Sequence, residues 1–201
     1  MALTPETNDL SAYLTASELI DYEDKGIQAV AAELSERSKD RVELAKAAYE
    51  YVRDSISHSC DIQGRVVTCE ASSVLRHKEG ICYAKSHLLA AILRSLKIPT
   101  GFCYQKLVFD DSDLSYLTLH GLNAIYLENL DKWIRVDARG NKQGVQAEFN
   151  IEKECLAFPV REELGESDYP IIYAKPNESV VAALRNIKTL EALMVNLPQE
   201  V

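Results

Sequence analysis

From Arg41 to Ile56 the apolar side chains Val42, Leu44, Ala45, Ala48, Tyr49, Val52 and Ile56 recur close to the i, i+3, i+4, i+7 spacing of one helix face. Residues 26–56 are therefore expected to be helix with one side on a core. The stretch Ala71–Arg76 predicts a short helix, capped by Ser72 or Ser73 and broken by Lys78, Glu79 and Gly80. The next run, Ile81–Leu96, is different, because Leu88, Leu89, Ala90, Ala91, Ile92, Leu93 and Leu96 leave almost no polar face. A helix that is apolar all round is a buried one. Pro99 ends it by forcing the residue before it out of helical geometry.

Beyond Pro99 the period shortens to that of strands. Residues 100–109, 119–127 and 132–137 are expected to be three strands, with turns at 110–113 and 128–131. Residues 1–25 look like a lead-in, and 57–70 like a loop with a short extended piece. Residues 145–175 look irregular, broken by Pro159, Gly165 and Pro170, and a final helix is expected from Ser179 to about Leu193. Helices followed by an antiparallel meander make an α+β fold. The Cys82-bearing helix is expected to be central and buried, with extra N-terminal and C-terminal helices. The chain of 201 residues is expected to form a single domain, 1–201, with its core at about 41–142.

Composition narrows the function classes. Hydrophobic residues make up 47% and charged residues 26%, enough apolar surface for a core. The net charge of −9 argues against nucleic acid and against an anionic membrane surface as partners. Five cysteines without a CxxC pair argue against a disulfide framework and a structural zinc site. The polar, acidic N-terminal stretch lacks the pattern of a secretory signal, so a cytoplasmic chain with reduced thiols is expected. No cofactor or metal is expected. A His58, Cys60, Asp61 metal site has a spacing that suits no common geometry.

Most free cysteines are small buried hydrophobes, so a chemical role for one needs support from its neighbours. Cys82 has that support. It opens the central helix, two residues after Gly80, where free N–H groups and the positive end of the helix dipole favour an anion. Its own N–H can help hold an oxyanion. Of the four histidines, His87 lies five residues into the same helix and His77 sits in a charged turn. His120 opens the second strand. Alternation puts His120, Leu122, Ala124 and Tyr126 on one face, and Trp133, Arg135 and Asp137 on one face of the third strand. With the turn near Glu128–Asn129, His120 lies opposite or diagonal to Asp137, within hydrogen-bond reach. A carboxylate there fixes the tautomer and tilt of a catalytic imidazole. Tyr83 is placed to shape the cleft, and Gln63 is a candidate side-chain oxyanion donor. Arg139 is expected in a structural ion pair, and Cys103 and Cys155 in the core.

The segment GICYAKSHLLAAILRSLKIPTGFCY resembles the nucleophile segment of the transglutaminase-like superfamily. LHGLNAIYLENLDKWIRVDARGNK resembles its H-x-W-x-E-x-[YF]…W-x-x-V-D block. The likeness spans about residues 45–142. Trp133 matches the tryptophan before the Asp strand, whereas Gly121-Leu122 stands where many members have Ala-Trp. The resemblance implies a papain-like α+β core in which the Cys helix packs on an antiparallel sheet, with Cys82 as nucleophile, His120 as general base and acid, and Asp137 as the orienting carboxylate. The implied activity is thiol-dependent acyl transfer from an amide, through a Cys82 thioester, on a peptide, protein or small amide substrate. Hydrolysis is the preferred outcome. Transfer to an amine is the alternative, and a non-catalytic binding module is a second. The oligomeric state is left open.

Overall fold

The computed structural model describes residues 3–201. A two-residue strand, β1 (Thr4–Pro5), and a 3-10 turn at Leu10–Leu14 form the lead-in. The expected helix over 26–56 is two helices, α1 (Lys25–Arg37) and α2 (Arg41–Ser55). The break has a local cause. The Asp40 carboxylate accepts from the N–H groups of Val42 and Glu43, so the chain restarts at a strong N-cap. After α2 come β2 (Ser57–His58), α3 (Ala71–His77) and β3 (Glu79–Gly80). No side chain within α3 caps it; instead the Asp21 carboxylate of the lead-in accepts from Ser72 N at 2.9 Å.

The central helix α4 (Cys82–Ser95) is buried from Tyr83 to Arg94, as its all-round apolar pattern requires. Leu88, Leu89, Ile92 and Leu93 are fully buried among α1, α2, α3 and the sheet. Each contributes about 1.5–3 kcal/mol by leaving water. The long strands β4 (Thr100–Asp110) and β5 (Asp113–Leu127) form one hairpin, and β6 (Lys132–Val136) pairs with the far half of β5. β5 begins six residues before the expected Leu119, because pairing with β4 continues nearly to the Asp111–Ser112 turn, past a register shift between Val108 and Asp110.

The region expected to be irregular carries a 3-10 turn at Glu162–Leu164 and two short strands, β7 (Ser167–Asp168) and β8 (Ile171–Ile172). β7 extends the sheet to the order β6-β5-β4-β7, and β8 pairs with β1 in parallel. The expected final helix is two, α5 (Glu178–Asn186) and α6 (Leu190–Met194), the second restarted by a Thr189 cap. One sheet face meets α4 through Phe102, Tyr104, Leu119 and Ile125. The other carries Cys103, Leu122 and Ala124 under Tyr13 and Ile172. The helices, the antiparallel sheet and the buried Cys-bearing helix make the α+β fold. Among the described residues no helix is long and apolar enough to cross a membrane.

Candidate active site

The N-terminus of α4 opens into a cleft of about 770 Å³ lined by Cys82, His120, Tyr83, His58, Arg139 and Phe158 among others. Ile81 at the N-cap makes no side-chain capping bond, so the first N–H groups of α4 are not taken up by a cap. Cys82 is half-buried at this end.

β6 stops at Val136, opposite Asn123, so the β5 edge beyond that point has no strand beside it. His120 lies on this free stretch, and Asp137 follows β6 by one residue. The two are diagonal neighbours, and His120 Nε2 is 2.7 Å from an Asp137 oxygen. Asp137 is fully buried. Its carboxylate also accepts from Arg139 N at 3.0 Å and Ala157 N at 3.2 Å. Tyr49 donates to its backbone oxygen at 3.2 Å, tying the loop to α2.

Electrostatics follow from this packing. Burial alone would lower the His120 pKa, but the Asp137 carboxylate and Cys82 outweigh it and push it up to about 10. Burial alone would raise the Asp137 carboxyl, but the His120 cation and the two N–H groups hold it below the usual range. With Nε2 committed to Asp137, His120 Nδ1 is the nitrogen free for the thiol.

Further contacts hold the parts in place. Asn123 donates to Ser86 O at 3.2 Å and Gly101 O at 3.1 Å, pinning α4 to the hairpin. Tyr83 donates its hydroxyl to Leu119 O, one residue before His120. Its ring lies so close to Gly121 that a Cβ there would sit 2.6 Å from Tyr83 Cδ1. Real contacts of that kind are essentially absent, so Gly121 is what lets the Cys82 helix approach the His120 strand. Gly121, where many members have Ala, thus has a local packing reason. Lys85, one turn after Cys82, is buried and donates to Arg53 O at 3.3 Å and to Ile56 O. Burial first, with Arg139, lowers its pKa to about 7.

The sequence-predicted residues do not all converge. Cys82, His120, Asp137 and Tyr83 are together. Gln63 is exposed at positive φ in the 59–63 turn and does not line the cleft. Arg139 forms the expected ion pair, with both Asp61 oxygens, and Lys142 joins it at 2.8 Å. Cys103 is buried as expected, but Cys155 is only half-buried, because it lies in a loop over the sheet and not in the core. His87 is buried and bonded to Cys69 O at 2.8 Å. Sequence reasoning missed Phe158, whose ring meets that of His120 edge-on at 5.2 Å, and Ala157, whose N–H reaches Asp137. Both come from an aperiodic loop that gives no pattern to read. His58 falls in the 57–70 stretch expected to be a loop, and the structure places it on the wall of the cleft.

The sequence pattern of the transglutaminase-like superfamily matches residues 28–138, more than half of the chain and inclusive of Cys82, His120 and Asp137. No curated protein matches the chain. Among solved structures, a candidate cysteine protease from Cytophaga hutchinsonii superposes with TM-score 0.50 at 18% identity, over 66% of this chain and 43% of that one. A TGase superposes with TM-score 0.47 at 15% identity, over 76% of this chain and 40% of that one. A candidate protease from Parabacteroides distasonis gives 0.41 at 16%, over 75% and 32%. The chain therefore spans less than half the length of each.

Proposed function

The chain belongs to the transglutaminase-like superfamily, and from that membership and the cleft we propose that it is a cysteine-dependent acyl-transfer enzyme acting on amide bonds. The Cys82 thiolate adds to the carbonyl carbon. His120, as imidazolium, gives its proton to the departing amine nitrogen, and a Cys82 thioester remains. Water then attacks the thioester and loses a proton to the now neutral His120. The thiolate leaves, and a carboxylic acid is released. Asp137 keeps the imidazole in one tautomer and tilt throughout. Hydrolysis is the preferred reading, and an amine in place of water would give transamidation. Five free thiols fit a reducing, cytoplasmic setting.

The observation that carries this reading is the buried His120–Asp137 bond of 2.7 Å beside Cys82 in one cleft. The experiment is acylation with a p-nitrophenyl ester, followed by intact mass and by partition of the acyl group between water and an added amine. An acyl adduct on Cys82 that turns over into free acid is expected. A protein that shows no adduct while its thiol reacts freely with an alkylating agent would contradict the proposal.

A further inference from the structure

β2 runs parallel to β3, with His58 paired to Gly80, two residues before Cys82. Ser59 N donates to Gly80 O at 3.2 Å and Ser57 N to Lys78 O at 2.9 Å, so this short ladder fixes His58 beside the nucleophile loop. Lys85 supports it from below through the carbonyls of Arg53 and Ile56, at the end of α2.

The imidazole itself is unusual. It lines the cleft, yet Nδ1 is shielded from solvent and has no hydrogen-bond partner. A buried N–H without an acceptor is costly. A bare ring nitrogen in the same place is tolerated better, as unpaired acceptors are. The proton therefore belongs on Nε2, the nitrogen left to the cleft. Burial, with the charge of Arg139, also drives the His58 pKa down to about 3. The ring stays neutral under working conditions. It presents one N–H to the cleft, and it is too weak a base to compete with His120 for the thiol proton.

We propose that His58 is a catalytic residue that donates Nε2–H to the oxygen of the tetrahedral intermediate on Cys82, completing an oxyanion hole with the Cys82 N–H. This rests on the acyl-transfer reading above. It gives the side-chain donor role to His58, where the structure leaves Gln63 outside the cleft. A neutral donor fixed by a strand ladder suits the task. It stabilises negative charge that appears only in the transition state and needs no reorganisation when that charge forms.

Three proteins and two reactions test it. His58→Phe keeps a ring of similar size but has no N–H. His58→Gln restores a neutral donor. Single-turnover acylation by p-nitrophenyl acetate needs the oxyanion hole, whereas alkylation of Cys82 by iodoacetamide forms no oxyanion. His58→Phe should acylate on the order of 100-fold more slowly than wild type, and His58→Gln should recover at least about tenfold of that loss. Alkylation should stay within about twofold in both variants. Acylation by His58→Phe at the wild-type rate would overturn the proposal. So would alkylation falling in parallel with acylation, which marks a structural role. Failure of the wild type to acylate, with alkylation intact, would overturn the acyl-transfer reading as well.

Discussion

Residues 80–138 and residues 145–198 both wall the cleft, the first from a long helix and a ladder, the second from loops and short elements. In the first stretch, position follows from periodicity. Cys82 stands at the start of α4, His120 stands on β5, and Asp137 stands one step past the end of β6, which pairs with β5. In the second stretch, position follows from single hydrogen bonds and ring contacts. Ala157 N reaches Asp137, Phe158 meets His120, and Pro198 O accepts from Leu119 N at 2.7 Å. Met194 and Leu197 also line the cleft. The regular stretch holds the reacting groups, and the irregular one shapes what surrounds them. Damage to the first should therefore abolish chemistry, and damage to the second should tune it.

The largest effect is expected at Asp137. Asp137→Asn should slow acylation by up to about 10⁴-fold, because the amide neither stabilises the imidazolium nor fixes the tautomer of the neutral ring. The same variant has a pH signature in stability. The folded His120 pKa of about 10 stands above its ordinary 6.5, so the pairing stabilises fully below about pH 6.5 and is lost as pH rises through 10. The gap in urea midpoint between wild type and Asp137→Asn should shrink from pH 6 to pH 10. A gap that widens over that range would count against the pairing. Gly121→Ala comes next. A Cβ forced to 2.6 Å from the Tyr83 ring should cost about 1–3 kcal/mol by urea unfolding, together with a loss of acylation. Wild-type stability there would show that α4 has room to move away. The smallest effect belongs to the loop. Phe158→Ala removes an edge-on contact worth about 0.5–1.5 kcal/mol, so the unfolding free energy should fall by about that much and acylation tenfold at most. A loss comparable to that of Asp137→Asn would erase the distinction between the two walls.

The same contrast explains what was legible in the sequence. The buried helix from Ile81, the strands after Pro99 and the diagonal relation of His120 to Asp137 follow from apolar spacing and a turn. The division of 26–56 at Asp40 was missed because the apolar pattern runs through it, although the capping residue stood in plain view. The early start of β5 at Asp113 hid behind polar residues on an exposed hairpin end. Phe158 and Ala157 reach the site through a loop whose path depends on tertiary contacts, and no periodic signal could place them. His58 was visible as a residue but not as a neighbour of Gly80, since a two-residue parallel pairing leaves no trace in the pattern.

The account rests on one claim, that Cys82 and His120 act as a charge-paired unit. The most direct test is the rate of Cys82 alkylation by iodoacetamide from pH 5 to pH 11, in wild type and in His120→Ala. The pairing predicts a step in the wild-type profile near pH 10, where His120 gives up its proton, and no such step in His120→Ala. It also predicts faster wild-type alkylation at pH 7. Superimposable profiles would contradict the claim.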